Sequence, residues 1–543
     1  MNGLSPRATN NVDECVRKRE ILPQIAVAVC LILFVVKAVT SMVQESATWD
    51  ETHYLGLGKY LLQNHRWDVP GSILHPPLPL YLQSLPFFFF DTDQGVWESD
   101  YTRATDPKYL GLADFNRGQK LLSSPANRGD RLLNWCRFMM VLTGVLLGWF
   151  VYSWSHAAYG KASAILAAIL YSFSPNILAN ACLITPDIVL TTFMFMTVYY
   201  LWRLSRSNRI SNAILGGICF GLSLLSKFTG ILLIPICFAL IALWAMRRKP
   251  LSVSRGFVFG ATGLAILLVG YGMNLGPYFA GITFQREHAN AGESVFFFGQ
   301  YSNHGWWYYL IVAFLIKTPV ATIILLAMAL VLFAGRWRQG LLMNEMFLLV
   351  PVATVVCFFS VNHASIGLRY ILPVYPFLFV FASSTAPFLL SKKLLTGVYV
   401  ALLAWYVGAS SIIHPHYLAY FNEFVGGPKN GYKCLVDSNL DWGQDLKGLK
   451  RFMQKNGIPR IHFSYFGTDS PERYGIAYDW LPSVYLRNPD PENREQPPKG
   501  WVAISATNLQ GVYLDDRNLF AWLKGRQPFA MIGYSIFVYK VDD

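Results

Sequence analysis

A chain of 543 residues with 53% hydrophobic and only 14% charged side chains is too poor in charge to cover a soluble surface, since soluble domains carry about 25% charged residues. A bilayer tolerates an apolar exterior and forbids unpaired backbone, so this composition, with a mean hydropathy of +0.34, predicts an α-helical polytopic membrane protein. The net charge of +13 raises nucleic acid as a partner, but the basic residues sit in short loops beside apolar runs, where lipid headgroups account for them.

Taken in chain order, roughly eleven apolar runs reach or approach spanning length. They lie near 22–43, 132–154, 161–178, 186–204, 211–226, 228–246, 256–275, 306–334, 343–361, 367–388 and 394–413. The stretch 211–246 is too long for one helix and carries Ser226-Lys227 at its middle, so it divides there. Residues 1–21 form an N-terminal segment, 22–413 a transmembrane domain, and 414–543 a tail of soluble composition. The first apolar run is too long for the core of a cleavable signal, and no small-x-small site follows it. The eight cysteines show neither a disulfide framework nor a CxxC metal pattern.

Lysine and arginine in the short loops set a direction. Arg7, Arg17, Lys18 and Arg19 precede the first span. Every second loop after that is basic: Lys161; Arg203, Arg206 and Arg209; Arg247, Arg248, Lys249 and Arg255; Arg336 and Arg338; Lys392 and Lys393. The intervening short loops are nearly free of such residues. This pattern predicts a cytoplasmic N-terminus in the cytoplasmic (inner) membrane and an exoplasmic, periplasmic C-terminus. A long first exoplasmic loop then covers 44–131, and another covers 276–305.

In the tail, 441–457 reads as an amphipathic helix with Trp442, Leu446, Leu449 and Phe452/Met453 on one face and Gly457 at its stop. Segments 461–467, 501–509 and 534–541 read as strands. The tail is thus expected to be a small α/β domain, with a Pro- and charge-rich surface loop at 486–500. No internal repeat is evident.

The chemistry concentrates beyond the first span. Asp50 and Glu51 stand side by side where the chain leaves the membrane, His53 follows, and HPPL with His75 lies at 75–78. The plain reading of Asp50 is a helix cap. Its semi-apolar, interfacial setting also suits a carboxylate acting as a base. Arg137, Asp187, Lys227, Lys317 and Arg369 lie in or against apolar runs, all toward the exoplasmic leaflet. Charges there are costly and point to function, against a plain reading of ion pairing such as Arg137 with Glu51. Cations in this position suit a phosphate, and carboxylates suit activation of a hydroxyl. Asp50, Glu51, His53 and His75 include metal-ligand types, but their spacing matches no standard site, and a pairing network is the preferred reading. In the tail, Asp441 and Asp445 would share a helical face.

On these residues the chain resembles the protein O-mannosyltransferases among the C-type (GT-C) glycosyltransferases, together with the related lipid A aminoarabinose transferases. The resemblance rests on Asp50-Glu51, on HPPL at 75–78, on Arg137 before a Gly-containing span, and on TPDIVL at 185–190. It also rests on GLSLLSKFTGILL at 221–233, GLRYILPVYPFL at 367–378, and AYFNEFVGGP with DSNLDWGQDL within 419–446. It implies a GT-C fold and inverting transfer of mannose or another hexose or pentose from a polyprenyl phosphate to an exoplasmic acceptor. Asp50 matches the position of the catalytic carboxylate, with Glu51 orienting it or pairing with Arg137. Lys227 and Arg369 are the foremost phosphate contacts, and His53, His75 and Asp187 are candidates for sugar or acceptor contacts. The chain lacks the inserted repeats of the eukaryotic protein mannosyltransferases, so protein, lipid and glycan acceptors all stay open. No cofactor is assigned beyond the lipid-linked donor substrate; a divalent metal stays open and is not predicted. A secondary transporter and a non-catalytic lipid-binding subunit are the competing readings; paired broken helices near the midplane, the mark of many transporters, are not evident.

Overall fold

The computed structural model describes residues 6–64, 73–90, 92, 112–247, 252–337, 343–362, 366–484 and 498–542. Arg248, Lys249, Arg338, most of the 486–500 loop, and 65–72 and 93–111 of the first loop lie outside them.

The protein is an integral membrane protein built of helices. In chain order they are α1 (Pro6–Met42), α2 (Trp49–Asn64), α3 (Leu78–Ser84), α4 (Leu112–Ser123), α5 (Gly129–Tyr159), α6 (Lys161–Ser172), α7 (Pro175–Ala181), α8 (Pro186–Ser207), α9 (Ile210–Leu224), α10 (Leu233–Arg247), α11 (Val253–Gly270) and α12 (Gly276–Ala291). A hairpin of β1 (Val295–Phe297) and β2 (Gln300–Ser302) follows. Then come α13 (Tyr309–Lys317), α14 (Val320–Trp337), α15 (Met343–Val361), α16 (Val374–Ser383), α17 (Ala386–Leu389) and α18 (Lys393–Ile412).

Among the described residues seven helices are long and apolar enough to span on their own, and two bent pairs raise the number to nine. The shorter apolar helices Ile210–Leu224 and Val374–Leu389 fall on the two remaining runs. Each of the eleven apolar runs therefore carries helix. Two are broken. α6 and α7 meet at 58° and α13 and α14 at 113°. Pro175 and Pro319 stand at these breaks and supply no backbone N–H to continue the helix. The division of 211–246 falls where the sequence places it, with Lys227 in extended backbone between α9 and a 3-10 turn over Phe228–Leu232.

The core is aromatic. Trp154 is fully buried and packs on Phe195, Trp202 and Phe377, drawing α5, α8 and α16 together. At one end of the bundle Trp202 and Arg206 both donate to Asn344, and Tyr159 donates to Glu345. Arg255 donates to the Asn208 carbonyl. Basic loop residues thus gather at a common end.

The tail holds a five-stranded sheet. Its order is Tyr478–Trp480, Ile461–Ser464, Gly500–Ser505, Ile536–Val541, Ala530–Ile532, with the first three parallel and the last two pairings antiparallel. A helix over Leu446–Lys455 packs Leu446, Leu449 and Met453 on Ile461, Phe463 and Val538. This helix is shorter than 441–457. Gly443 adopts a φ of +90°, and the carbonyls of Trp442 and Gln444 accept from the backbone N–H groups of Trp49 and Ser46. Asp441 and Asp445 therefore share no helical face: both lie before the helix, in a segment bolted to the first loop. The strand expected at 501–509 stops at Ser505, and Ala506–Gln510 turns into a short helix.

Candidate active site

Thr48 and Glu51 open α2. The Glu51 carboxylate accepts from the Thr48 backbone N–H at 2.8 Å and from its hydroxyl at 3.0 Å. This is one half of a capping box. The capping work expected of Asp50 thus falls to Glu51, and Asp50 is free to face a cavity.

Glu51 is held further by Arg137 of α5. Arg137 Nε and Nη2 approach its two oxygens at 2.8 and 2.6 Å, and the Ile184 N–H donates to Oε1 at 3.0 Å. Arg137 also donates to the carbonyls of Met42 and Ser46. Both side chains have 0% exposure. Neither lines the cavity, so Arg137, a candidate phosphate contact in the sequence, stands instead behind the site, tying the end of α1 to the start of α2.

The cavity has a volume of about 730 Å³ and is lined by Asp50, His53, His75, Lys227 and Arg369 among others. Arg369, from a 3-10 turn over Leu368–Ile371, donates from Nη1 to Asp50 Oδ2 at 2.8 Å. Their side chains are 15% and 22% exposed, so a ligand entering the cavity reaches this pair and cannot reach Glu51–Arg137. Lys227 Nζ lies 2.8 Å from Asp187 Oδ1 and 4.8 Å from the Tyr370 ring centroid. Asp187 sits in the first turn of α8, 2% exposed, and backs Lys227 without lining the cavity. An ammonium has three donors; Asp187 takes one.

His53 and His75 both line the cavity. His53 Nδ1 is 3.8 Å from Asp114 Oδ2 of α4. Burial, with Lys227, His53 and Arg369 nearby, holds His75 well below the ordinary histidine value, so it is neutral at pH 7 and can donate or accept one hydrogen bond. The helices beneath are pressed together: a Cβ on Gly118 of α4 would lie 1.7 Å from the Thr52 carbonyl oxygen of α2. Among the described residues no group of three or more His, Cys, Asp or Glu is placed to hold a metal ion.

The tail closes one side. Asp437, Trp442, Phe466 and Tyr513 line the cavity, and the Arg369 guanidinium lies 4.3 Å from the Trp442 ring centroid. Asn439 accepts from the Leu368 N–H at 2.9 Å and donates to the Tyr309 hydroxyl at 3.0 Å. Buried Lys317 donates to the carbonyls of Leu418 and Tyr420 at 2.9 and 3.1 Å, and to that of Asn439. Lys317 is therefore a clamp between a membrane helix and the tail. From the sequence, DSNLDWGQD draws the eye to Asp441 and Asp445. The cavity shows Asp437 and Trp442 instead. Asp441 is buried against the Thr507 N–H at 2.8 Å, and Asp445 is bound by the Ser535 hydroxyl at 2.7 Å.

Residues 131–271 match the family model of the dolichyl-phosphate-mannose-protein mannosyltransferases. The match bears out the resemblance read from the sequence over a stretch that includes Arg137, Asp187 and Lys227; Asp50 and Arg369 lie outside it. Among solved structures the chain is similar to ArnT from Cupriavidus metallidurans bound to undecaprenyl phosphate, at 12% identity over 95% of this chain and 97% of that one, with a TM-score of 0.45. It is similar to the oligosaccharyltransferase of Archaeoglobus fulgidus at 14% identity over 72% of this chain and 54% of that one, TM-score 0.44. The Pmt1-Pmt2 protein O-mannosyltransferase complex of S. cerevisiae bound to its sugar donor follows, at 17% identity over 49% and 33%, TM-score 0.30. A comparison with curated proteins finds no match.

Proposed function

We propose that this protein is a membrane glycosyltransferase that moves a sugar, with inversion, from a polyprenyl phosphate to a hydroxyl on an exoplasmic protein, lipid or glycan. The observation that carries the reading is that Asp50, paired with Arg369, and a second cation, Lys227, line one reachable cavity beside the membrane helices. The match of residues 131–271 to the mannosyltransferase family model supports it.

In the reaction Asp50 takes the proton of the acceptor hydroxyl as its oxygen attacks the anomeric carbon. The bond from that carbon to the phosphate oxygen breaks, and its electron pair leaves with the polyprenyl phosphate. That group departs as an anion and needs no proton, so cations suffice to stabilise it. Lys227 and Arg369 fill this role. Arg369 now holds Asp50; a bound phosphate competes for the guanidinium and releases the carboxylate to act as base. Glu51, Arg137 and Asp187 position these groups. His53 and His75 contact the sugar or acceptor. The basic loops support a cytoplasmic N-terminus, with cavity and tail on the exoplasmic side.

The test is mass spectrometry of envelope proteins, lipids and glycans from cells with and without the protein. Loss of a hexose or pentose from one acceptor class, restored by the wild type and not by D50N, supports the reading. An unchanged envelope, or full restoration by D50N, contradicts it.

A further inference from the structure

We propose that Asp437, carried on the tail turn 437–439, grips the hydroxyls of the transferred sugar, so that the tail supplies the carbohydrate half of the active site. The proposal rests on the donor reading given above and assigns a residue that reading does not use.

Four observations converge on it. First, Asp437 lines the same cavity as Asp50, Lys227 and Arg369 while only 9% exposed. A carboxylate that enclosed needs partners for its oxygens. Tyr513 donates to Oδ2, and the Ser438 N–H donates to Oδ1. Each carboxylate oxygen can accept about two hydrogen bonds, so each keeps acceptor capacity beyond these two contacts. Second, no cation pairs with Asp437 within the described residues; Arg369 acts on it through space. An acid beside a phosphate site repels the phosphate itself. It suits neutral donors, and the sugar carries its hydroxyls within a few bonds of the phosphate.

Third, the turn is built to hold its shape. Asp437 adopts a φ of +57°, in the left-handed region that Asp tolerates better than most residues. Thr507 Oγ1 accepts from its N–H at 3.1 Å, and two residues on, Asn439 grips the segment that carries Arg369. The turn that carries the carboxylate is thus tied directly to the turn that carries the cation. Fourth, aromatic rings flank the acid. Tyr513 stacks on Phe466 with centroids 5.7 Å apart and planes at 10°, and Phe466 stacks on Trp49 at 4.7 Å and 24°. An apolar wall with a few placed polar groups is how small-molecule pockets combine grip with orientation. Here the wall suits the C–H faces of a sugar ring and the acid suits its hydroxyls.

The experiment uses the full chain in lipid nanodiscs and measures binding of undecaprenyl phosphate, bare or carrying mannose, glucose or 4-amino-4-deoxyarabinose. The wild type is expected to bind one glycosylated lipid at least about tenfold more tightly than the bare lipid. D437N is expected to lose that increment while its affinity for the bare lipid stays within about twofold. Y513F, which frees the acid from its tether, is expected to lose part of the increment, and reports on the same contact if D437N does not fold. The proposal is overturned if D437N and Y513F both keep the increment. It is overturned too if no sugar adds affinity in the wild type, or if D437N changes only the KM for the acceptor. A wild type that fails to bind even the bare lipid overturns the donor reading itself.

Discussion

Asp50 and Glu51 are neighbours on one helical turn, and their surroundings separate them. Glu51 receives Arg137, Ile184 and Thr48 and is shut off from the cavity. Removing one partner of a buried pair strands the other charge and costs about 3–5 kcal/mol. E51A is therefore expected to lower the melting temperature in detergent sharply, and R137A to do the same; unchanged melting in either variant would show that this pair does not hold the site. Asp50 has a single cation, on the wetter side, and D50N is expected to leave melting nearly unchanged. Part of this division is legible in the sequence: Thr48-Trp49-Asp50-Glu51 has the spacing of a capping box, which singles out Glu51 as the cap. The ion pairs are less legible. Arg137 and Glu51 are a plausible couple by position, but that Asp187 backs Lys227 and Asp50 meets Arg369 depends on how four separate elements converge, and no local pattern records that.

Individual elements bring these residues together by close contact. Gly118 lets α4 lie directly against the backbone of α2. G118V forces the helices apart at an overpacking cost of about 1–3 kcal/mol. It is expected to reduce transfer by shifting Asp50, read as a loss of rate together with a lowered melting temperature; full activity would mean that α2 tolerates the displacement. The segment 437–445 acts as a second staple, joining the Asp50 helix through Trp442 and Gln444 and the Arg369 turn through Asn439. Within it, burial, partly offset by Thr507, pushes the Asp441 carboxyl up to about 8 from an ordinary value of 3.8. A carboxyl raised on folding favours the folded state while protonated. Its contribution is complete below about pH 4 and is lost as pH rises through about 8. The melting temperature is therefore expected to fall between pH 5 and 8, and D441N to flatten that fall; equal slopes would contradict it. Periodicity suggests a helix over 441–457 because Trp442 continues the apolar face. Tertiary hydrogen bonds from the first loop take the backbone that the helix would need, and only Leu446–Lys455 remains helical.

At the scale of the whole molecule, the alternation of basic and nearly uncharged loops and the clustering of Asp50, Asp187, Lys227 and Arg369 describe the same two ends. All eleven apolar runs are helical, since length and apolarity are local properties that a bilayer reads directly. The sharp bend between α13 and α14 is marked only by Thr318-Pro319, and a proline alone does not fix its angle. The direction of the bundle gives a labelling prediction. In intact cells a membrane-impermeant maleimide is expected to label a cysteine placed at exposed Lys455 and to miss one at exposed Lys393; the reverse pattern would place tail and cavity on the cytoplasmic side. The tail, readable in the sequence as a separate α/β unit, turns out to form one wall of the cavity through Asp437, Trp442, Phe466 and Tyr513.

The central claim is that Asp50 is the base of a lipid-phosphate-dependent sugar transfer. Its most direct test measures two quantities on purified wild type and D50N: transfer of labelled sugar from its polyprenyl phosphate to the acceptor, and binding of bare undecaprenyl phosphate. Transfer is expected to fall by at least about 100-fold in D50N, with lipid binding held within about twofold. Transfer by D50N at the wild-type rate would contradict the assignment.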